Sequence, residues 1–143
     1  MHWPPLPALG EALEVVVELP RFSVVKRRSD GRVDFVSPAP CPYNYGSIPA
    51  LASGDDDPLD AVILGARLPR GARRRLPVVG VIGFIDGGRP DPKVICSDRP
   101  LDPRDRDGLL AFFALYALFK RALALARGQR GETRSVGFLP APR

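Results

Sequence analysis

Val78-Val79-Gly80-Val81-Ile82-Gly83-Phe84-Ile85 is apolar at nearly every position and is closed by Asp86-Gly87-Gly88. An unbroken apolar run of this length reads as a strand buried on both faces, and therefore as a central one. Shorter runs stand on either side of it, at Ala61 to Ala66 and Lys93 to Ser97, while Leu13 to Leu19 is β-branched and bounded by Gly10 and Pro20; each is predicted to be a strand. Phe22 to Arg27 and Arg32 to Val36 flank Ser29-Asp30-Gly31, whose Asp-Gly step suits a hairpin turn. Pro38 to Pro49 is expected to be a rigid loop, because its prolines withhold ladder hydrogen bonds. One helix is predicted, from about Gly108 to Ala126, with Asp105 or Asp107 as N-cap and Gly128 as the stop. No helix falls between strands to make parallel crossovers. The fold class is thus α+β, mainly β: a small barrel with a C-terminal helix packed outside.

With 143 residues and 45% hydrophobic content, the chain is expected to be one globular domain over 13–138, after a proline-rich arm (1–12) and before a tail (139–143). Two distant cysteines, Cys41 and Cys96, suggest neither a zinc site nor a disulfide framework and fit a reducing, cytoplasmic setting. Met1 to Pro5 lacks the charged start and apolar run of a signal peptide. The longest apolar stretch, Gly108 to Phe119, falls short of the about 20 residues a membrane helix needs, so no membrane association is expected. A net charge of +5 permits a polyanionic partner, yet few aromatics are interleaved with the arginines as base stacking requires, which argues against nucleic acid. The expected helix is apolar around most of its circumference, so one face covers the barrel and the other is available to a second chain.

Two acidic segments carry the chemistry. Asp55, Asp56, Asp57 and Asp60 fall within six positions just before a strand, and Asp86-Gly87-Gly88-Arg89-Pro90-Asp91-Pro92-Lys93 closes another. Carboxylates this dense repel one another without a cation, and their hard oxygens suit Mg²⁺ or Mn²⁺. An isolated Asp-Gly-Pro segment is ordinarily a solvated turn; the second acidic segment is what points to metal. If the two face each other across a barrel mouth, divalent ions held there would activate a water, and Lys26, Lys93, Tyr45 and Tyr116 would supply charge and donors to phosphate oxygens.

Pro42-Tyr43-Asn44-Tyr45-Gly46, Asp55-x-Asp57-Pro58-x-Asp60, Asp86-x4-Asp91-x-Lys93 and Phe112-Phe113-x-x-Tyr116 together resemble the soluble family I inorganic pyrophosphatases in order and spacing, over roughly Val15 to Phe138. The resemblance implies an OB-like small closed β-barrel, Mg²⁺ dependence, hydrolysis of pyrophosphate to two phosphates, and a cytoplasmic homo-oligomer. It implies Asp57 as the proton acceptor, Asp55, Asp60, Asp86, Asp91 and Glu18 as metal ligands, and Lys26, Tyr45, Lys93 and Tyr116 as phosphate contacts. Three positions depart from the family pattern. Arg28 stands where the family has a glutamate, the arginine before the tyrosine motif has no match nearer than Arg32, and Ala117 replaces a lysine, with Lys120 one turn further on. The family's second C-terminal helix also has no counterpart after Phe138. The metal-binding half of the site is therefore expected to be intact and the phosphate-binding half eroded. Two alternatives follow: a metal-dependent phosphohydrolase of another phosphoanhydride (polyphosphate or nucleotide), or a non-catalytic OB-like binding module.

Overall fold

A computed structural model describes residues 2–27, 32–36, 40–52 and 57–140. The strands are β1 (Ala12–Leu19), β2 (Val25–Arg27), β3 (Val33–Val36), β4 (Asn44–Ala52), β5 (Pro58–Ile63), β6 (Arg73–Asp86), β7 (Arg89–Pro90), β8 (Lys93–Cys96) and β9 (Arg134–Phe138), with one helix, α1 (Pro103–Ala126). Strand order runs β1-β4-β5-β8-β6, and β6 pairs back onto β1, so five strands close on themselves. This is the OB-like barrel, in which closure removes the exposed sheet edges. All of these pairs are antiparallel except β5–β8. The predicted hairpin forms as β2–β3, and β7 and β9 extend the far half of β6.

Alternation along the strands sorts the apolar residues into two cores. Val15, Val17, Ile48, Leu59, Ala61, Ile63, Val81, Val94 and Cys96 come from all five barrel strands and fill its interior. Val62, Ile82, Phe84 and Ile95 point the opposite way and meet Leu109, Phe113 and Ala117 of α1. The runs in β5, β6 and β8 are continuously apolar because both faces are buried. Leu109 and Phe113 are fully buried, and burial of each contributes about 1.5–3 kcal/mol toward docking the helix.

Four sequence expectations change. The segment expected to be a loop up to Pro49 contains β4; Pro49 sits where the register slips between Ile48 and Ala52, so no ladder bond is lost there. Helix α1 begins at Pro103, not near Gly108, because Asp102 and Asp105 form a capping box with the proline in the first turn. The residues after Gly128, for which no strand is predicted, contain β9. With 24 residues and a stretch of mean hydropathy 1.8, α1 is also long and apolar enough, by length and composition alone, to cross a membrane. Its inner face is nonetheless committed to the barrel wall. Its outer face exposes Leu110, Leu115, Leu118 and Leu125. The N-terminal arm lies against the barrel, with the Gly10 amide donating to the Val78 carbonyl at 2.8 Å.

Candidate active site

The acidic segments meet on the outer wall of the barrel beneath α1, not across an open mouth. Strand alternation is the cause: Asp60 shares a face with Val62, and Lys93 with Ile95, on the side that carries the helix. Parallel pairing of β5 with β8 sets Asp60 beside Lys93 in register. Lys93 Nζ donates to Asp60 Oδ2 at 2.6 Å and to Asp91 Oδ2 at 2.8 Å, while the Tyr45 hydroxyl donates to the same Asp60 oxygen at 2.8 Å. Tyr45 reaches it because β4 lies directly against β5.

Lys93 is only 1% exposed. Its ammonium lies 5.6, 5.4 and 6.0 Å from the ring centroids of Tyr45, Phe84 and Tyr116, within range of cation–π attraction. Burial acts to lower its pKa, but Asp60, Tyr45, Asp91 and Tyr116 together outweigh burial and hold it well above the usual lysine value. The lysine is therefore a fixed cation. Burial pushes the Asp91 carboxyl up, and its share of Lys93 does not offset burial together with the neighbouring charges of Asp60 and Asp86. Burial, then the Asp60 charge, push the Tyr45 phenol well above its ordinary value, so it stays a donor.

A cleft of about 570 Å³ opens beside this network. Asp57, Asp60, Asp86 and Asp91 line it, along with Arg89, Lys120, Arg127, Arg130 and Thr133. Asp57 is exposed at the head of β5. Asp86 ends β6, where its carboxylate pairs with Lys120 Nζ at 3.1 Å. Tyr116 stacks with Phe112 and tilts against Phe84, so it belongs both to the core under α1 and to the wall behind Lys93.

None of the other expected residues is among the described lining of the cleft. Asp55 and Arg28 lie outside the described residues. Lys26 pairs with Phe35 in the β2–β3 hairpin. Glu18 is in β1, next to the Leu19 that pairs with Tyr45, and is not part of the cleft lining. Ala117, at the position of the family lysine, is buried against the barrel, whereas Lys120 one turn later reaches the cleft. Arg89, Arg127 and Arg130 were not expected at the site. Arg89 opens β7, whereas Arg127 and Arg130 lie at the end of α1 and just beyond it, and only the fold of the chain after α1 brings these two segments together.

The donor set is one of hard carboxylate oxygens on a single cleft, the chemistry that hard divalent cations select. Among the described residues no three acidic, His or Cys side chains are already gathered as a coordination shell. Asp60 and Asp91 each give an oxygen to Lys93. Asp57, Asp60, Asp86 and Asp91 nevertheless line one cleft, so the donor set fits a divalent ion.

Comparison with known proteins agrees with this geometry. The chain is 29% identical over 146 residues to the soluble inorganic pyrophosphatase of Hordeum vulgare, covering 94% of this chain and 67% of that protein. It is 36% identical over 101 residues to the inorganic pyrophosphatase of Haemophilus influenzae, covering 65% and 56%. The match spans about half, 49%, of the rice soluble inorganic pyrophosphatase. Among solved structures, the inorganic pyrophosphatase of Thermus thermophilus superposes with a TM-score of 0.71 at 27% identity, over 91% of this chain and 86% of its own. That of Neisseria gonorrhoeae gives 0.68 at 26% identity, over 90% and 82%. Residues 15–110, well over half the chain, match the inorganic pyrophosphatase family profile, and the chain belongs to that family.

Proposed function

We propose that this chain hydrolyses inorganic pyrophosphate to two phosphates, with Mg²⁺, or Mn²⁺ in its place, as cofactor. The reading is carried by the cleft in which Asp57, Asp60, Asp86 and Asp91 converge in front of the Tyr45–Asp60–Lys93–Asp91 network. Asp60, Asp86 and Asp91, joined by Asp55 and Glu18 on the family resemblance, are the residues to hold the ions. Divalent cations so held acidify water and neutralise phosphate charge.

The protein's own groups supply the remainder. Asp57, exposed on the cleft, accepts the proton of the attacking water. Lys93 holds Asp60 and Asp91 at fixed separation and keeps their like charges from driving them apart. The Tyr45 hydroxyl fixes the Asp60 oxygen and so orients its carboxylate. Lys120, paired with Asp86 on the cleft wall, contributes the cation that Ala117 cannot, donating to phosphate oxygens. The family resemblance adds Lys26 and Tyr116 as phosphate contacts, although Tyr116 stands in the wall behind Lys93 rather than in the cleft lining. The two buried free thiols, Cys41 and Cys96, support a cytoplasmic location. Self-association through the outer face of α1, where Leu115, Leu118 and Leu125 are exposed, gives the homo-oligomer.

Phosphate release from pyrophosphate, measured with Mg²⁺, with Mn²⁺ and with EDTA, tests the reading. Metal-dependent release is expected, and Asp57→Asn is expected to abolish it while calorimetric Mg²⁺ binding persists. Wild-type rates in that variant would remove Asp57 from its role, and silence of the wild type with either metal would overturn the activity.

A further inference from the structure

The cleft has a basic rim that the pyrophosphatase reading leaves unused. Arg89 opens β7, Arg127 caps α1 and Arg130 follows it, and all three line the same cleft as the four carboxylates. All three are exposed, and among the described residues none of them has a carboxylate partner. Arg73 and Arg134, by contrast, are paired with Glu14 and Glu132. Three unpaired guanidiniums on one rim repel one another, and an anion relieves that.

The rim is also held in place. Beyond α1 the chain turns at Gly128 and docks onto the β6–β7 turn: the Gly87 amide donates to Thr133 Oγ1 at 3.0 Å, and the Gly88 amide to the Glu132 carbonyl at 2.7 Å. Arg121 Nε donates to the Thr133 carbonyl at 2.6 Å from the helix side. Gly131 approaches so closely that an added Cβ would lie 2.9 Å from the Gly87 backbone, at a φ of +137° that favours glycine. Arg127 and Arg130 are thus carried by a segment anchored at both ends.

We infer that Arg89, Arg127 and Arg130 form a subsite for an additional phosphate group, so that the cleft accepts a linear polyphosphate of which tripolyphosphate is the shortest. This rests on the reading of the cleft as a phosphoanhydride site. The volume of about 570 Å³ lies within the range that holds drug-sized ligands, about 300–1,000 Å³, and exceeds what a two-phosphate anion fills. Among the described residues no aromatic side chain lines the cleft to stack a base, which favours an all-phosphate chain over a nucleotide. Turnover needs no further reactant. The water oxygen bonds to a terminal phosphorus, the bridging P–O bond to it breaks, pyrophosphate leaves with the bond electrons, and the water proton passes to Asp57.

The deciding measurement is calorimetric titration with tripolyphosphate and with pyrophosphate in EDTA at physiological salt, using the wild type and the Arg127→Gln/Arg130→Gln double variant. One added charge-assisted contact predicts that the wild type binds tripolyphosphate about tenfold more tightly than pyrophosphate, and that the double variant brings the two within about twofold. Arg99→Gln/Arg104→Gln, which removes the same charge away from the cleft, should keep the preference. Equal wild-type affinities, a preference that survives in the rim variant, or one lost equally in the control would overturn the subsite. Mg²⁺-dependent phosphate release from pyrophosphate separates the two claims. A chain that is silent there but loses its binding preference in the rim variant keeps the subsite and loses the hydrolase, while an active chain without the preference does the reverse.

Discussion

Replacing Lys93 by methionine keeps the length of the side chain and deletes its charge, leaving Asp60 and Asp91 facing one another where an ammonium had bonded both at 2.6 and 2.8 Å. Lys93 is 1% exposed, so water cannot take over its role. Removing one partner of a buried ion pair costs about 3–5 kcal/mol. The lost attraction to the Tyr45, Phe84 and Tyr116 rings adds on the order of 0.5–1 kcal/mol each. Methionine recovers part of this by burying apolar surface, so a net loss of about 4 kcal/mol is expected, a large share of a typical total of about 5–15. For a chain of this size that lowers the midpoint of thermal unfolding by about 10–15 °C. Urea unfolding in EDTA at pH 7.5 reads the loss directly, and two further conditions identify its origin. Acidification should shrink the difference from wild type, because the carboxylates, with Asp91 already raised, take up protons and stop repelling. Saturating Mg²⁺ should shrink it as well, by replacing the missing positive charge. A loss below about 1 kcal/mol, or one indifferent to both acid and Mg²⁺, would refute the view that Lys93 is what holds the two carboxylates together.

Gly46→Ala should unfold the barrel or cost at least about 3 kcal/mol, because a Cβ there would lie 1.8 Å from the Val16 carbonyl oxygen and force β1 from β4; a thermal midpoint within about 3 °C of wild type would contradict this. Burial pushes the Cys96 thiol up to about 12 from 9.0. Its folded pKa is thus raised, so its contribution is complete below pH 9 and is lost as pH climbs toward 12, about 3 kcal/mol of it by pH 11. Cys96→Ala should flatten that part of the stability profile, and a profile with the same slope as wild type would exclude the thiol as its source. Leu115→Glu with Leu118→Glu should leave circular dichroism intact and shift light-scattering mass toward the monomer. An unchanged mass would move the subunit contact away from α1.

The parts of this fold legible in the sequence are those where one physical effect dominates. Val78 to Ile85 of β6 and Val94 to Cys96 of β8 read clearly because there the strands lie between neighbours and helix or core, which leaves no polar position to confuse the pattern. β4 is hidden by Pro49, whose signal is local while its tolerance depends on a register slip against β5. β9 is five residues long and contains Gly137 at a φ of +80°, so neither length nor propensity marks it. At the start of α1 the signal is present as Asp102-Pro103-x-Asp105, but the more polar run after it offers competing caps. The carboxylates of the site are legible because two short motifs hold them. Arg89, Arg127 and Arg130 are not, since their convergence depends on the docking of residues 129–133 on the β6–β7 turn, a contact no local pattern encodes.

The closure of the barrel through β6 also dictates when the chain can fold as it leaves the ribosome. β6 is the partner of β1, β8, β7 and β9, so the first seventy or so residues hold only the β1–β4–β5 part of the wall and the β2–β3 hairpin. The parallel β5–β8 pair must then wait for Lys93 to emerge, and the outer core waits for α1. Non-local pairing of this kind is slow and leaves apolar edges exposed meanwhile. The cleft is therefore among the last features to appear. A nascent chain stalled before Lys93 presents β5 with one edge unpaired and Asp60 without its cation, a species that chaperones would meet before any substrate does.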